Sequence, residues 1–545
     1  MLDLRIINAR ILTGEGADGS DRPQGPQAPL GVRDGKIVLG IDPDEPARQT
    51  LDAQGAVCCP GFIDIHSHSD YAALYAPDAI SKTLTGFTTE LNGNCGYGAF
   101  PLYGPMKEAR QQEYAPHRLE IDWEQTAEYF DRCRREPMAL NQGLLIGQGT
   151  LRGSVVGLED RPADPSQRTA MVEQVTAAMD AGCFGISTGL VYAPGSFASG
   201  EEIEDLVRIV AERGGLYASH LRSESDGLIE ALDEFLSVCR KTGCRAQYSH
   251  IKAAGRRNWA KMDQVRRRME AARAEGLELY GDRYPYTASC TDLATILLPN
   301  DALGGGREAI VERLENRATR AELKHRIQQR EQVAQDGGAW FEQVMIGSVH
   351  HPALNEACGK TLAGWAEQTG ASDPLEAAFD LLIADGAWTD GIHFSMSEQN
   401  MQQVLQWPDV MIGSDACLRD QVGDACSDRP HPRAFGTPAR VLGQLCRDAG
   451  WFSLSEAVHK LTGLPASVMR LPDRGLIRDG YAADLVIFDP DTIADRATYA
   501  EPAEPPAGIR WVLINGAVVV ESDGENSARP TGQRPGKLLR FDGSS

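Results

Sequence analysis

Two histidines, His66 and His68, stand two residues apart at the end of the apolar run PGFIDIHSHSD, with Asp70 close behind. Side chains at i and i+2 of a strand share a face, so the two imidazoles converge. A single histidine at a strand end is usually an ordinary polar residue, whereas a His-x-His pair after an apolar strand has the spacing of a metal pair. His220 after LYAS and His250 after QYS close strand-like runs in the same way. Four of the chain's 11 histidines at three strand ends are most simply a ring around one barrel mouth. Cys95, in LNGNCGYG, ends another apolar run, and Gly93, Gly96 and Gly98 permit a tight turn there. A thiolate at that place can coordinate or bridge a metal beside the histidines. Most of the other eleven cysteines, Cys58 and Cys59 among them, read as buried inert thiols. Asp415 ends VMIGSD at the expected last strand. An aspartate there can simply cap a helix, but beside a metal-bound water it is the general base and, once protonated, the acid for a leaving amine.

The elements that must position these residues follow from hydrophobic pattern. Short apolar runs (VCCPGFIDIH, TTELNGNC, LLIGQG, CFGISTG, LYASH, AQYSH, LELYGDRYPY, VMIGSD) alternate with amphipathic stretches such as GEEIEDLVRIVAERG and KMDQVRRRMEAARAEG. Repeated β then α predicts a parallel sheet, and eight runs ending in polar residues suit a closed (β/α)8 barrel with its site at the C-terminal strand ends. An open doubly wound sheet is the alternative. The barrel is expected over residues 58–480, with an insertion at about 290–350. Residues 1–57 and 481–545 read as β-rich, with hairpin signals at Asp34-Gly35 and Asn515-Gly516, and are expected to form one small discontinuous β-sandwich domain closed by both termini. A Gly/Pro/Asp-rich loop from about 14 to 30 interrupts its first part.

Composition narrows the partners. The 545 residues carry 54 Lys plus Arg against 77 Asp plus Glu, and a net charge of −23 disfavours nucleic acid. No apolar stretch is long enough to predict a membrane span, and the start has no signal-peptide pattern. Twelve scattered cysteines fit reduced thiols, so a cytoplasmic location is expected.

HSHSD, GNCG, GISTGLVYAPGSFAS, SHLRSE, SHIKAAG, DRYPYTAS, IGSDA, HPRAFGT and the run from LTGLPASVMRLPDRG to DLVIFDPDTI occur in order over about residues 1 to 520. Together they resemble the N-acyl-D-amino-acid deacylases (D-aminoacylases) of the amidohydrolase superfamily. The resemblance implies a tight zinc held by Cys95, His220 and His250, a weaker second site at His66 and His68, and Asp415 as acid/base. It also implies a clamp for the substrate carboxylate at Lys252, Tyr284 and Arg433, with Tyr192 as a further pocket residue. Charge logic agrees, because an acidic protein needs fixed local cations to hold an anionic substrate. Lys252 shares the side of His250 if that strand continues. The sequence departs from the family in GQGTLR, where Gln148 replaces a usual histidine, and in a longer loop between Asp415 and Arg433. LATILLPNDALGGG resembles the deacylases of neutral substrates and offers no side-chain arginine. The expected partner is therefore a small N-acyl-D-amino acid with a neutral or hydrophobic side chain, and assembly as a homo-oligomer is left open. A cyclic-amide hydrolase and a non-catalytic scaffold are the rival functions.

Overall fold

The computed structural model describes residues 1–16, 29–334, 340–423, 426, 428–522 and 528–543. Most of the loop expected at 14 to 30, and part of the DACSDRPHP loop, fall outside them. Eight parallel strands run in order: β1 (Phe62–Asp64), β2 (Phe87–Asn92), β3 (Asn141–Gly147), β4 (Gly185–Gly189), β5 (Leu216–His220), β6 (Arg245–Tyr248), β7 (Leu279–Arg283) and β8 (Val410–Ile412). Each of the eight apolar runs supplies one strand. Residues of β3 and β4 are buried throughout, as a strand covered on both faces requires. Helices pack outside. In the helix Gly200–Glu212 the buried Ile203, Leu206, Val207 and Val210 make one apolar stripe, and the Ser199 side chain caps it by accepting from the Glu202 amide.

The ladder is continuous from β1 to β8, but among the described residues no ladder joins β8 back to β1. The seam is closed by a single bridge between Ser67 and Ala416, a bond from the Asp415 amide to the His66 carbonyl at 2.8 Å, and side chains. Lys82, wholly buried, donates to Asp64 Oδ2 at 2.6 Å, Ser414 Oγ at 2.8 Å and the Ala416 carbonyl at 2.9 Å. Its ammonium also lies 3.1 Å from Glu90 Oε1.

The run VCCPGFIDIH does not form one strand. It breaks at Gly61, where a Cβ would lie 2.2 Å from Thr88 Oγ1, and Val57–Pro60 pairs instead with Leu485–Phe488. That pair belongs to a six-stranded sheet built from both ends of the chain, facing a four-stranded N-terminal sheet across a common core that includes Ile6, Val32, Cys58, Leu485 and Leu513. Both hairpin signals are turns with left-handed residues: Asp34 (φ 50°) with Gly35 (φ 73°), and Asn515 (φ 48°) with Gly516 (φ 84°). The insertion between β7 and β8 extends past 350. Its antiparallel sheet joins Ser289–Asp292, Val344–Ile346 and Asp390–His393, and its helices include Pro374–Ala384, all around a separate core. Among the described residues no helix is long and apolar enough to cross a membrane.

Candidate metal centre and substrate cavity

The chemistry-bearing residues meet at the C-terminal ends of the barrel strands. His220 is the last residue of β5, while His66, His68, Cys95, His250 and Asp415 lie just beyond their strands. Cys95 (φ 53°), His250 (φ 38°) and Asp415 (φ 52°) adopt left-handed backbone that non-glycine residues seldom take. Such strain persists where surrounding structure over-determines it, commonly at functional sites.

Two groups of donor atoms form, each with all atoms within 4.8 Å of one another: Cys95, His220 and His250, and His66, His68, Cys95 and Asp415. Cys95 belongs to both. Its Sγ lies 3.2 Å from His66 Nε2 and 3.3 Å from His250 Nε2. Asp415 Oδ1 is 3.0 Å from His68 Nε2 and 3.3 Å from His66 Nε2. The buried His220 Nδ1 has no protein partner, leaving one lone-pair nitrogen available to a metal. A soft thiolate with two imidazoles is a good zinc donor set, so the residues fit a zinc ion.

Electrostatics favour the thiolate of Cys95 and the carboxylate of Asp415. Burial alone would push the Cys95 thiol up, but His66 and His250 outweigh it and hold it well below the ordinary range. Burial would likewise raise Asp415, yet Arg433, His66 and His250 hold its carboxyl well below the usual carboxylate range, keeping it an ionised base. Two carboxylates missed in the sequence complete the site. Asp282 Oδ1 lies 3.1 Å from His66 Nδ1 and accepts from the His250 amide at 2.9 Å. Glu224 Oε1 lies 3.0 Å from His250 Nδ1, and Oε2 3.3 Å from His220 Nε2. The burial that would depress His220 is overcome by Glu224 and Cys95, which raise it to about 9. Both acids stand inside quoted motifs, DRYPY and SHLRSE, and that was the one available signal.

Above the donor atoms opens a cavity of about 1720 Å³. Tyr192, Lys252, Tyr284 and Arg433 all line it. The Tyr192 ring centre is 5.0 Å from that of His220, and its hydroxyl accepts from Thr291 Oγ1 at 3.1 Å. The Arg433 guanidinium carbon sits 4.6 Å from the Tyr284 ring centre, and Nη1 donates to Asp415 Oδ2 at 2.6 Å. The buried Tyr284 hydroxyl has no partner. The β6 strand ends at Tyr248 and His250 takes left-handed backbone (φ 38°), so the strand does not continue to Lys252. Lys252 nevertheless folds back, with Nζ 2.6 Å from Glu224 Oε1 and 2.7 Å from His250 Nδ1. Gln148 lies behind the wall, 3.5 Å from Glu202 Oε1, beside the buried Arg152–Glu202 pair.

A (β/α)8 barrel with such donors at its mouth defines the amidohydrolase class, and the family model described as "Amidohydrolase family" matches residues 392–520. N-acyl-D-glutamate deacylase of Alcaligenes xylosoxydans xylosoxydans is 35% identical over 100% of this chain and 97% of its own. D-aminoacylase of the same organism is 34% identical over 98% of each. The crystal structure of N-acyl-D-glutamate deacylase from Bordetella bronchiseptica, complexed with zinc and a phosphonate mimic of the tetrahedral intermediate, is 34% identical and covers 99% of both chains with a TM-score of 0.81. This chain belongs to the N-acyl-D-amino-acid deacylase family.

Proposed function

We propose that this protein is a zinc-dependent hydrolase of the amide bond of N-acyl-D-amino acids, releasing a carboxylic acid and a free D-amino acid. The observation that carries the substrate class is a seat for a carboxylate beside a proton carrier. Tyr284 offers a buried, unpartnered hydroxyl, and Arg433 bridges from that ring to Asp415. Zinc, when bound, polarises the acyl carbonyl and lowers the pKa of water. Cys95, His220 and His250 hold the tighter ion, and His66 and His68, with Cys95 and Asp415, form the weaker site. Asp415 takes a proton from the attacking water and later delivers it to the leaving amine nitrogen as the C–N bond breaks. Lys252, Tyr284 and Arg433, which all line the cavity, hold the substrate carboxylate, and Tyr192 borders the reacting group beside His220.

Neutral or hydrophobic side chains suit the cavity. Of the several arginines that line it, Arg222, Arg307 and Arg419 each already face a carboxylate of their own, Glu234 at 2.9 Å, Asp292 at 2.9 Å and Asp428 at 2.8 Å. The twelve free cysteines support a reducing compartment, the cytoplasm.

The test assays purified, zinc-analysed enzyme on a panel of N-acetyl D- and L-amino acids together with an N-acetyl amine that lacks a carboxylate. Turnover is expected for D substrates. Arg433→Met should lose about 2 to 3 kcal/mol more in kcat/KM on them than on the amine, where only its bond to Asp415 is lost, with zinc content unchanged. Preference for L substrates would overturn the function, and equal losses on both substrate types would overturn the clamp.

A further inference from the structure

His431 is buried among three tyrosine rings, with the centres of Tyr284, Tyr286 and Tyr499 at 6.2, 5.2 and 5.3 Å from its own. Packing alone would require only an apolar ring there. Both nitrogens nevertheless meet main chain: Nε2 lies 2.9 Å from the Ala288 carbonyl oxygen, and Nδ1 3.0 Å from the Arg433 amide. A carbonyl only accepts and a peptide N–H only donates, so the proton sits on Nε2 and Nδ1 is the acceptor. Burial and the Arg433 charge hold the imidazole well below its ordinary range, in the neutral form that this pairing needs. Neither nitrogen is left for a substrate.

The two partners belong to two parts of the carboxylate seat. Ala288 lies four residues beyond Tyr284, and Arg433 opens the helix Arg433–Arg440. At the far end of that helix Arg440 Nε donates to the Pro285 carbonyl at 2.8 Å, and its guanidinium carbon lies 4.6 Å from the Tyr286 ring centre. In between, a Cβ at Gly436 would strike the Tyr286 hydroxyl. The helix is thus pressed on residues 285–288 and tied to them at both ends, by His431 at the end that carries Arg433. That tie fixes the backbone from which the guanidinium reaches the Tyr284 ring. The first N–H groups of a helix have no partner within it, so without His431 the Arg433 amide and the Ala288 carbonyl lose this pairing together.

We propose that His431 is a positioning residue for substrate recognition: it bridges the Ala288 carbonyl to the Arg433 amide and so holds Arg433 in register with Tyr284, two of the three groups that receive the substrate carboxylate. This rests on the carboxylate seat of the proposed function. It makes Tyr284 and Arg433, 149 positions apart in the chain, one rigid unit joined through a single imidazole.

The experiment measures kcat and KM for wild type, His431→Phe, His431→Asn and Arg433→Met on N-acetyl-D-leucine and on N-isopentylacetamide, the same amide without its carboxylate, with zinc content and urea unfolding of the same samples. His431→Phe keeps a ring among the tyrosines and removes both hydrogen bonds. Its kcat/KM should fall about 10-fold more on the amino acid than on the amine derivative, chiefly through KM and with zinc retained, since a shift of about 1 Å in a positioning group costs up to about 100-fold. His431→Asn keeps an acceptor for the Arg433 amide, because an Asn side chain bonds the N–H two or three residues on, and loses the reach to Ala288. Its substrate ratio should lie between those of wild type and His431→Phe; if the phenylalanine variant does not fold, the asparagine variant carries the test. A wild-type ratio in the folded His431 variants, or equal losses on both substrates, would overturn the role of His431, provided Arg433→Met has lowered that ratio. An unchanged ratio in Arg433→Met would instead sink the carboxylate seat itself.

Discussion

The two halves of the donor ring are held by different means. His220 ends β5, and Cys95 and His250 follow β2 and β6, all three strands paired in parallel ladders on both sides. His66, His68 and Asp415 straddle the seam between β1 and β8, where one bridge and the buried cluster of Lys82, Asp64, Glu90 and Ser414 replace the ladder. Backbone ladders fix geometry by many modest bonds. The seam depends on one ammonium among two carboxylates, an arrangement strong only while every partner is present. The difference supports the proposed division into a tighter metal set on the laddered side and a weaker set, with Asp415 as the proposed proton carrier, on the seam side.

The largest expected effect comes from the residue common to both halves. Cys95→Ala should lose stoichiometric zinc and, with it, activity by more than the roughly 100-fold that an outer-partner change produces. Metal analysis alongside kcat checks this, and retention of both in the variant would dissolve the distinction between the halves. Asp415→Asn changes only the seam side: kcat should fall about 10²- to 10⁴-fold with the tight zinc retained, because the amide keeps shape and loses proton transfer. Near-normal kcat would leave Asp415 as a structural neighbour of the histidines.

Lys82→Met sharpens the comparison through stability. Removing the ammonium leaves Asp64 and Glu90 buried without their cation, and about 3 to 5 kcal/mol of unfolding free energy should be lost. Urea titration measures it. The folded variant should still carry the zinc of Cys95, His220 and His250, and loss of that zinc would show that the seam organises both halves. The smallest effect lies at the opposite end of β8, where the buried Lys460 donates to the carbonyls of Trp407 at 2.5 Å and Val410 at 2.9 Å. Burial pulls its amine down to about 8. The unfolded chain holds that proton to about pH 10.4, so between these values the unfolded state binds more protons and stability should rise with pH. Lys460→Met should flatten that rise, and an unchanged slope in the variant would assign it to other groups.

Much of this site was legible because barrel strands announce themselves as apolar runs ending in polar residues. His66, His68, Cys95, His220, His250 and Asp415 each stood at such an end. Glu224 and Lys82 did not, although they hold those residues in place, and Asp282 did, near the end of β7, without its type singling it out. Asp282 meets His66 across 216 positions of sequence, and nothing local marks an acid as the partner of a distant imidazole. Pro374–Ala384 packs in the separate core between β7 and β8 although it has the apolar pattern of any barrel helix, so its place was not legible in the sequence. Gly61 hid a strand change, since one apolar run served two sheets in succession.

The residue types at the strand ends, the period of the strands and helices, and the two left-handed hairpin turns are properties of the sequence by itself, because each depends on neighbours within a few residues. Tertiary structure alone decided that Cys95 serves both donor groups, that Glu224 rather than solvent faces the outer nitrogens of His220 and His250, and that side chains rather than a ladder close the barrel between β1 and β8. Those outcomes depend on distances between segments far apart in the chain, which only the closed barrel determines.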